Sequence, residues 1–135
     1  FKISFDFIKK QNDFHNYSVL SREAIIVGMS STLLYEAFAK KFRIGFFSFR
    51  HYFFSKNSFL KKNSPGFAFP EKTDDLGQFW SNIPDRENMK KNLNYLMKVS
   101  NSEWMETTSK WSDLLMKYNH ENMIYKKILK QEGIF

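Results

Sequence analysis

The chain has 135 residues, of which 42% are hydrophobic and 26% charged, so its composition is that of one globular domain rather than of a disordered segment. It contains no cysteine, which excludes disulfides, thiolate metal sites and cysteine nucleophiles. Its formal net charge of +7 favours an anionic partner such as nucleic acid, anionic lipid or a phosphorylated substrate. No apolar run approaches the length of a membrane span and no secretory signal is visible, which predicts a cytoplasmic protein.

The first third of the chain alternates strand and helix patterns. Ile3–Phe7 alternates apolar and polar residues, which predicts a strand, and Asp13 can cap a short helix after it. The apolar run Ala24–Val27 predicts a buried strand, Thr32–Lys41 a helix and Arg43–Phe47 a further strand. This order predicts a parallel sheet with right-handed crossovers.

The pattern is weaker from residue 48 to residue 84. Gly66–Pro70 is consistent with a short fourth strand, and Glu71–Pro84 is predicted to be a loop. The fold class is therefore α/β, a Rossmann-like parallel sheet of three or four strands flanked by helices. We interpret residues 1–135 as a single domain.

The last third of the chain is predicted to be helical. Asp85 can start a helix with an inward face, Ser100 opens a capping box, and Asn119 can cap a last helix that stops at Gly133. Two tryptophans seven residues apart on the middle helix are predicted core or interface anchors. The predicted inward residues of the first helix are Met89, Leu93, Leu96 and Met97, those of the middle helix include Trp104 and Trp111, and those of the last are Ile124, Ile128 and Leu129.

The segment from Gly28 to Glu36 is the strongest candidate for a functional site. Gly28 permits a sharp turn after the strand, and Ser30, Ser31 and Thr32 place hydroxyl groups at a helix start. Such a start offers unpaired N–H groups and the positive end of a dipole, which suit a phosphate. The same residues also fit an ordinary cap, with Glu36 favoured by the dipole. Neither GxGxxG nor GxxxxGK occurs here.

The residues IVGMSSTLLYEAFAKKFRIGFF, positions 26–47, resemble the donor-site segment in the C-terminal half-domain of GT-B glycosyltransferases and of the related sugar-nucleotide epimerases. Three later segments are similar to the tails of transferases of bacterial surface-polysaccharide biosynthesis. These segments are Gly66–Pro70, Gly77–Asn82 and Val99–Trp104.

The resemblance implies a nucleotide-sugar donor as the ligand. Ser30, Ser31 and Thr32 would lie against its diphosphate, Glu36 would face the ribose or sugar hydroxyls, and Gly28 would permit close approach. No metal or other cofactor is expected, because the helix dipole and nearby cations can balance the diphosphate charge. Members of the family carry a preceding Rossmann-like domain with the acceptor site. We therefore expect this chain to be part of a longer two-domain protein, catalytically incomplete alone and able to self-associate.

Two other features remain open as alternatives. Arg50 and His51 are predicted to lie in a loop after a strand, where they could contact a phosphate. The aromatic and basic stretch Phe42–Lys62 fits a membrane-surface patch suited to a lipid-linked acceptor, a single-stranded nucleic-acid platform of stacked rings and cations, or buried rings with a solvated rim. No nucleic-acid motif accompanies it, so no nucleic acid is expected. The alternative functions are a non-enzymatic interaction or membrane-surface module and a sugar-nucleotide epimerase fragment, and the predicted location includes the inner membrane face.

Overall fold

The centre of the fold is a parallel sheet of three short strands. The structure is a computed structural model that describes residues 9, 20, 24–53, 66–68, 73–116 and 118–134. The strands are β1 (Ile25–Gly28), β2 (Arg43–Phe47) and β3 (Trp80–Ser81), and they lie side by side in that order. Both pairings are parallel, with Gly28 opposite Phe46 and Phe46 opposite Trp80. The α/β class predicted from the sequence is confirmed.

Helices account for most of the remaining described residues. The first, α1 (Thr32–Ala39), connects β1 to β2, and a single turn, α2 (Arg50–Phe53), follows β2. The C-terminal part contains α3 (Arg86–Lys98), α4 (Asn101–Leu115), a 3-10 turn (His120–Asn122) and α5 (Met123–Gln131), so the predicted helical C-terminal third is confirmed. No helix in the described ranges is long and apolar enough to cross a membrane.

Successive residues of β2 point to opposite faces of the sheet, and different helices pack on the two faces. Phe46 points toward α1, where its ring centroid lies 5.8 Å from that of Phe38. Gly45 points the other way, and a Cβ built there would lie 3.1 Å from Leu96 Cδ1 of α3. Trp104 of α4 packs on α1, with its ring 5.9 Å from Phe38. α1 therefore packs on one face of the sheet, with α4 against it, and α3 packs on the other face.

The core on the α1 side is aromatic. Phe38, Phe46, Phe67 and Phe79 are each at most 1% exposed, and the rings meet in tilted, stacked and edge-to-face pairs. Truncating one such ring costs about 3–5 kcal/mol in typical cores. This cluster fixes the position of α1 against the sheet.

The ends of the helices follow the predicted capping chemistry. Asp85 accepts a hydrogen bond from the Asn88 N–H, and Ser100 accepts one from the Glu103 N–H, so both predicted N-caps are confirmed. At the end of α1, Lys41 takes a left-handed conformation with φ of 69°. Together with the bond from the Phe42 N–H to the Ala37 carbonyl, this forms a Schellman motif. Gly133 has φ of 69° just after α5, as the predicted stop requires.

One strand prediction and one loop prediction were wrong. The described part of Gly66–Pro70, residues 66–68, is a buried turn with Ala68 at φ of 61°. The third strand lies instead at Trp80–Ser81, within the stretch predicted to be a loop, because a two-residue strand is too short to show a periodic pattern. The strand predicted as Ala24–Val27 is present as β1, but Val27 is 50% exposed rather than buried.

Two helix faces also differ from the prediction. On α3, Asn92 and Leu96 are buried, whereas Met97 is 58% exposed. On α5, Ile124 and Ile128 are exposed rather than inward, and none of the residues of this helix is buried in the described part of the protein. The predicted strand Ile3–Phe7 and the helix start at Asp13 lie outside the described residues.

Candidate anion site at the carboxyl edge of the sheet

The three parallel strands end at one edge of the sheet. The chain leaves β1 through Met29–Thr32, β2 through Ser48 and β3 through Asn82. In open α/β sheets ligands bind outside the carboxyl ends of the strands, so the residues at this edge form the candidate site.

The turn after β1 is open to solvent. Ser30, Ser31 and Thr32 are all exposed. Ser31 occupies the N-cap of α1 with an extended backbone, but its side chain makes no capping hydrogen bond, and the first turn of α1 carries no acidic residue. By contrast, α3 and α4 both have a capping side chain and a glutamate in the first turn. The positive end of α1 is therefore not neutralised by a side chain of its own cap or first turn.

Gly28 is fixed by packing. A Cβ built at Gly28 would lie 2.7 Å from Leu34 Cδ1, and Leu34 is buried on the inner face of α1. Its backbone does not take the left-handed conformation that demands glycine. The glycine thus allows α1 to approach β1 closely, and in doing so it brings the helix start to the edge of the sheet.

Glu36 and Tyr35 lie one turn further along α1. Glu36 is half-buried on the same helix as Thr32. Burial raises the pKa of the Tyr35 phenol above its ordinary value, and a hydrogen bond with the backbone of Ala68 opposes part of that rise. Tyr35 therefore ties α1 to the turn at residues 66–68, beneath the candidate site.

Ser48 connects the ends of all three strands. It is 1% exposed. Its N–H donates to the Ser81 carbonyl over 3.0 Å, and its hydroxyl donates to the carbonyl of Met29 in the turn after β1. Sequence reasoning missed this residue. The available signal was a small hydroxyl residue directly after a buried strand.

The end of β3 is closed by its own hydrogen bonds. Asn82 is 2% exposed, its Oδ1 accepts from the Phe67 N–H over 2.7 Å, and its N–H donates to the Asp75 carbonyl over 2.7 Å. The Ser81 hydroxyl donates to the Ile83 carbonyl. These polar groups make hydrogen bonds within the protein, so they stabilise the end of β3.

Arg50 and His51 lie in α2 rather than in the predicted loop. α2 begins three residues after the end of β2, which puts both residues on the carboxyl side of the sheet. Arg50 is exposed. Among the described residues, no cluster of histidine, aspartate or glutamate side chains could hold a metal ion.

The fold and the edge together define an α/β protein with an accessible helix N-terminus at the carboxyl edge of a parallel sheet. Residues 1–133 match the model of a family described as "putative O-antigen biosynthesis protein". The chain belongs to this family, which associates it with O-antigen biosynthesis. This agrees with the resemblance to proteins of surface-polysaccharide biosynthesis, and it does not extend to a glycosyltransferase activity or a sugar nucleotide. No curated protein and no solved structure matched the chain.

Proposed function

We propose that the chain binds a nucleotide-sugar and forms the donor-binding part of a glycosyltransferase in O-antigen biosynthesis. The diphosphate of the donor lies against Ser30, Ser31 and Thr32 at the start of α1. Glu36 accepts hydrogen bonds from the ribose or sugar hydroxyls, and Gly28 keeps the helix start close to the sheet.

The observation that carries this proposal is the open start of α1. Its exposed residues supply backbone N–H groups and hydroxyls, and its cap and first turn provide no carboxylate. A diphosphate supplies both the hydrogen-bond acceptors and the negative charge that such a helix end favours. The family association with O-antigen biosynthesis supports a sugar as the group attached to it.

The position of Glu36 suits a second contact with the same ligand. Glu36 lies four positions after Thr32, which is about 6 Å along the helix axis. A carboxylate one turn beyond the helix start can accept hydrogen bonds from two neighbouring hydroxyl groups of a sugar ring. Arg50, exposed on the same side of the sheet, adds a positive charge toward the phosphates.

The chemistry assigned to this site is stabilisation of the leaving group. In glycosyl transfer an acceptor hydroxyl forms a bond to the anomeric carbon, and the bond from that carbon to the diphosphate oxygen breaks. The helix start stabilises the negative charge that grows on the departing nucleoside diphosphate. The base that takes the proton of the acceptor, and the site for a lipid-linked acceptor, are assigned to a further domain.

Thr32 offers a direct test, because it is the first helical residue. Proline is tolerated at this position, and the extended backbone of Ser31 suits a following proline. Thr32→Pro therefore removes one N–H donor without breaking α1, whereas Thr32→Ala removes only the hydroxyl. By calorimetry with uridine, cytidine and guanosine diphosphate-sugars, we expect Thr32→Pro to weaken binding roughly 10-fold or more and Thr32→Ala to weaken it less.

A second variant separates the sugar contact from the phosphate contact. Glu36→Gln should weaken binding of the intact nucleotide-sugar while leaving the affinity for inorganic pyrophosphate unchanged or slightly increased. The proposal fails if the folded wild-type chain binds none of the donors, or if Thr32→Pro binds them as tightly as wild type. Circular dichroism of each variant shows whether α1 remains folded.

A further inference from the structure

The last helix, α5, presents an apolar surface that the described part of the protein leaves uncovered. Ile124, Tyr125 and Ile128 are 57%, 60% and 49% exposed, and none of the helix residues is buried. Ile124 and Ile128 are four residues apart, so they lie above one another on one face, with Tyr125 beside them. An apolar helix face of this kind normally meets an apolar partner.

The other side of α5 is basic. Lys126 and Lys130 project away from the isoleucine face, since they fall on the opposite arc of a helix with 3.6 residues per turn, and Lys127 flanks that face beside Ile124. Between Met123 and Ile134 the only acidic residue is Glu132, at the C-cap. The helix therefore combines an apolar face with a basic side, on which the exposed Met123 also lies.

The helix is also separated from α4 and capped at both ends. Glu121 and Asn122 have positive φ values of 53° and 57° just before it, so the right-handed helical backbone is interrupted there and the chain changes direction. The Asn119 side chain accepts from the Ile124 N–H over 3.2 Å, and after the helix the Ile134 N–H donates to the Leu129 carbonyl. Local contacts thus define α5 where packing against the core does not.

We propose that α5 docks on the surface of an anionic lipid bilayer. Its isoleucine face enters the boundary between headgroups and acyl chains, and its lysines contact lipid phosphates. A short amphipathic helix with a basic polar side binds in this way, through apolar burial and attraction to anionic lipid. The charge complementarity favours a bilayer over a second copy of the chain, because a purely apolar contact between copies would not use the three lysines. The proposal does not depend on the nucleotide-sugar site.

Vesicle co-sedimentation with the full chain tests the charge requirement. Vesicles of phosphatidylcholine mixed with phosphatidylglycerol should bind the chain at low salt, and vesicles of phosphatidylcholine alone should not. Replacing the three lysines with glutamine (K126Q, K127Q and K130Q together) should lower partitioning about 100-fold, since each lysine near an anionic surface contributes roughly fivefold. The matched control is K90Q, K91Q and K110Q, which removes the same charge from exposed positions on α3 and α4.

Two further variants test the orientation of the helix. Because the chain has no cysteine, Ile128→Cys and Lys126→Cys each accept a single environment-sensitive fluorophore, one on the isoleucine face and one opposite it. Only the label at residue 128 should gain emission on addition of anionic vesicles. Glu132→Gln should strengthen vesicle binding, because it removes the one negative charge beside the apolar face.

Three results would overturn the proposal. One is equal loss of vesicle binding in the α5 variant and in the α3 and α4 control, which would indicate only the overall charge. Another is a gain of emission from both labels or from neither. The third is concentration-dependent self-association of the wild type that Ile124→Ser with Ile128→Ser abolishes while vesicle binding persists, because the apolar face would then serve contact between copies.

Discussion

The ends of β1 and β3 occupy equivalent places in the sheet but differ in how their polar groups are used. After β3, Ser81 and Asn82 are at most 2% exposed, and their side chains are hydrogen-bonded within the protein. After β1, the residues from Met29 to Thr32 are exposed, and the N-cap serine makes no side-chain hydrogen bond. One edge of one sheet therefore contains a closed end and an open end.

The difference follows from the surroundings of each strand. The end of β3 lies against the aromatic cluster, where an unpaired polar group would cost about 1–3 kcal/mol, so its polar atoms are paired. The end of β1 faces water, which can satisfy N–H and hydroxyl groups until a ligand replaces it. Polar residues at a carboxyl edge thus have a structural role where they are buried and are available for binding where they are exposed.

The largest expected effect on stability comes from adding a side chain at Gly77, near the closed end of β3. A Cβ at Gly77 would lie 2.1 Å from the indole ring of Trp80, which is 7% exposed and donates its Nε1–H to the Asp74 carbonyl over 2.9 Å. That ring cannot move aside, so Gly77→Ala should lower the free energy of unfolding by about 3 kcal/mol. Gly28→Ala meets the side chain of Leu34, whose Cδ1 would lie 2.7 Å away and can shift more readily than an indole ring, so it should cost about 1 kcal/mol.

Urea denaturation followed by tryptophan fluorescence measures both glycine variants. Equal losses of stability in Gly77→Ala and Gly28→Ala would contradict the view that the β3 end is the more tightly packed of the two.

The next effect concerns the buried amide at the closed end. Asn82→Ala leaves the buried Phe67 N–H without its acceptor, so we expect a loss of about 2 kcal/mol. The control is Asn101→Ala, which removes an exposed hydrogen bond to Arg43 and should cost less than about 0.5 kcal/mol. Thermal melts compare the two. If the exposed asparagine proves as important as the buried one, burial is not what distinguishes the closed end.

Much of the open end could be predicted from the sequence, because its signals are local. The apolar run before Gly28, the serines after it and the periodicity of α1 correctly indicated a strand, a turn and a helix. The N-caps Asp85 and Ser100 could also be predicted from the sequence, since a capping residue and its hydrogen-bond partner lie three residues apart.

The closed end could not be predicted, because it depends on contacts between distant residues. Trp80 and Ser81 form a strand only by pairing with β2, more than thirty positions earlier in the chain. The acceptor role of Asn82 depends on the backbone of Phe67, fifteen positions away. The exposed face of α5 was missed for a similar reason: the pattern of isoleucines shows an apolar face but does not identify the surface that it contacts.

A smaller effect concerns Tyr35 of α1, which should make the stability of the protein depend on pH. Tyr35→Phe removes a hydrogen bond with the Ala68 backbone, which should cost about 1 kcal/mol at neutral pH. Burial raises the pKa of Tyr35 above 10.0, so above pH 10 the unfolded chain releases this proton before the folded chain does. Wild-type stability should therefore fall more steeply with alkaline pH than that of the variant. The control is Tyr125→Phe, which changes an exposed tyrosine, and the urea midpoint of each protein is measured above pH 10. If the midpoints of wild type and Tyr35→Phe fall in parallel with rising pH, Tyr35 is not shielded from solvent in the folded state.

The smallest expected effect on stability comes from Ser31→Asp, and this variant also gives the clearest test of whether the open end after β1 binds an anion. Ser31→Asp should add a capping carboxylate and a negative charge at the open start of α1, raising the free energy of unfolding by about 0.5 kcal/mol. The same charge should weaken pyrophosphate binding several-fold, and more so at low salt, because it occupies the place proposed for the diphosphate. Ser100→Asp is the matched control, since Ser100 already caps α4 and a change there should leave pyrophosphate binding intact. If Ser31→Asp stabilises the fold and binds pyrophosphate as wild type does, the open end is only an uncapped helix, and the anion must bind elsewhere.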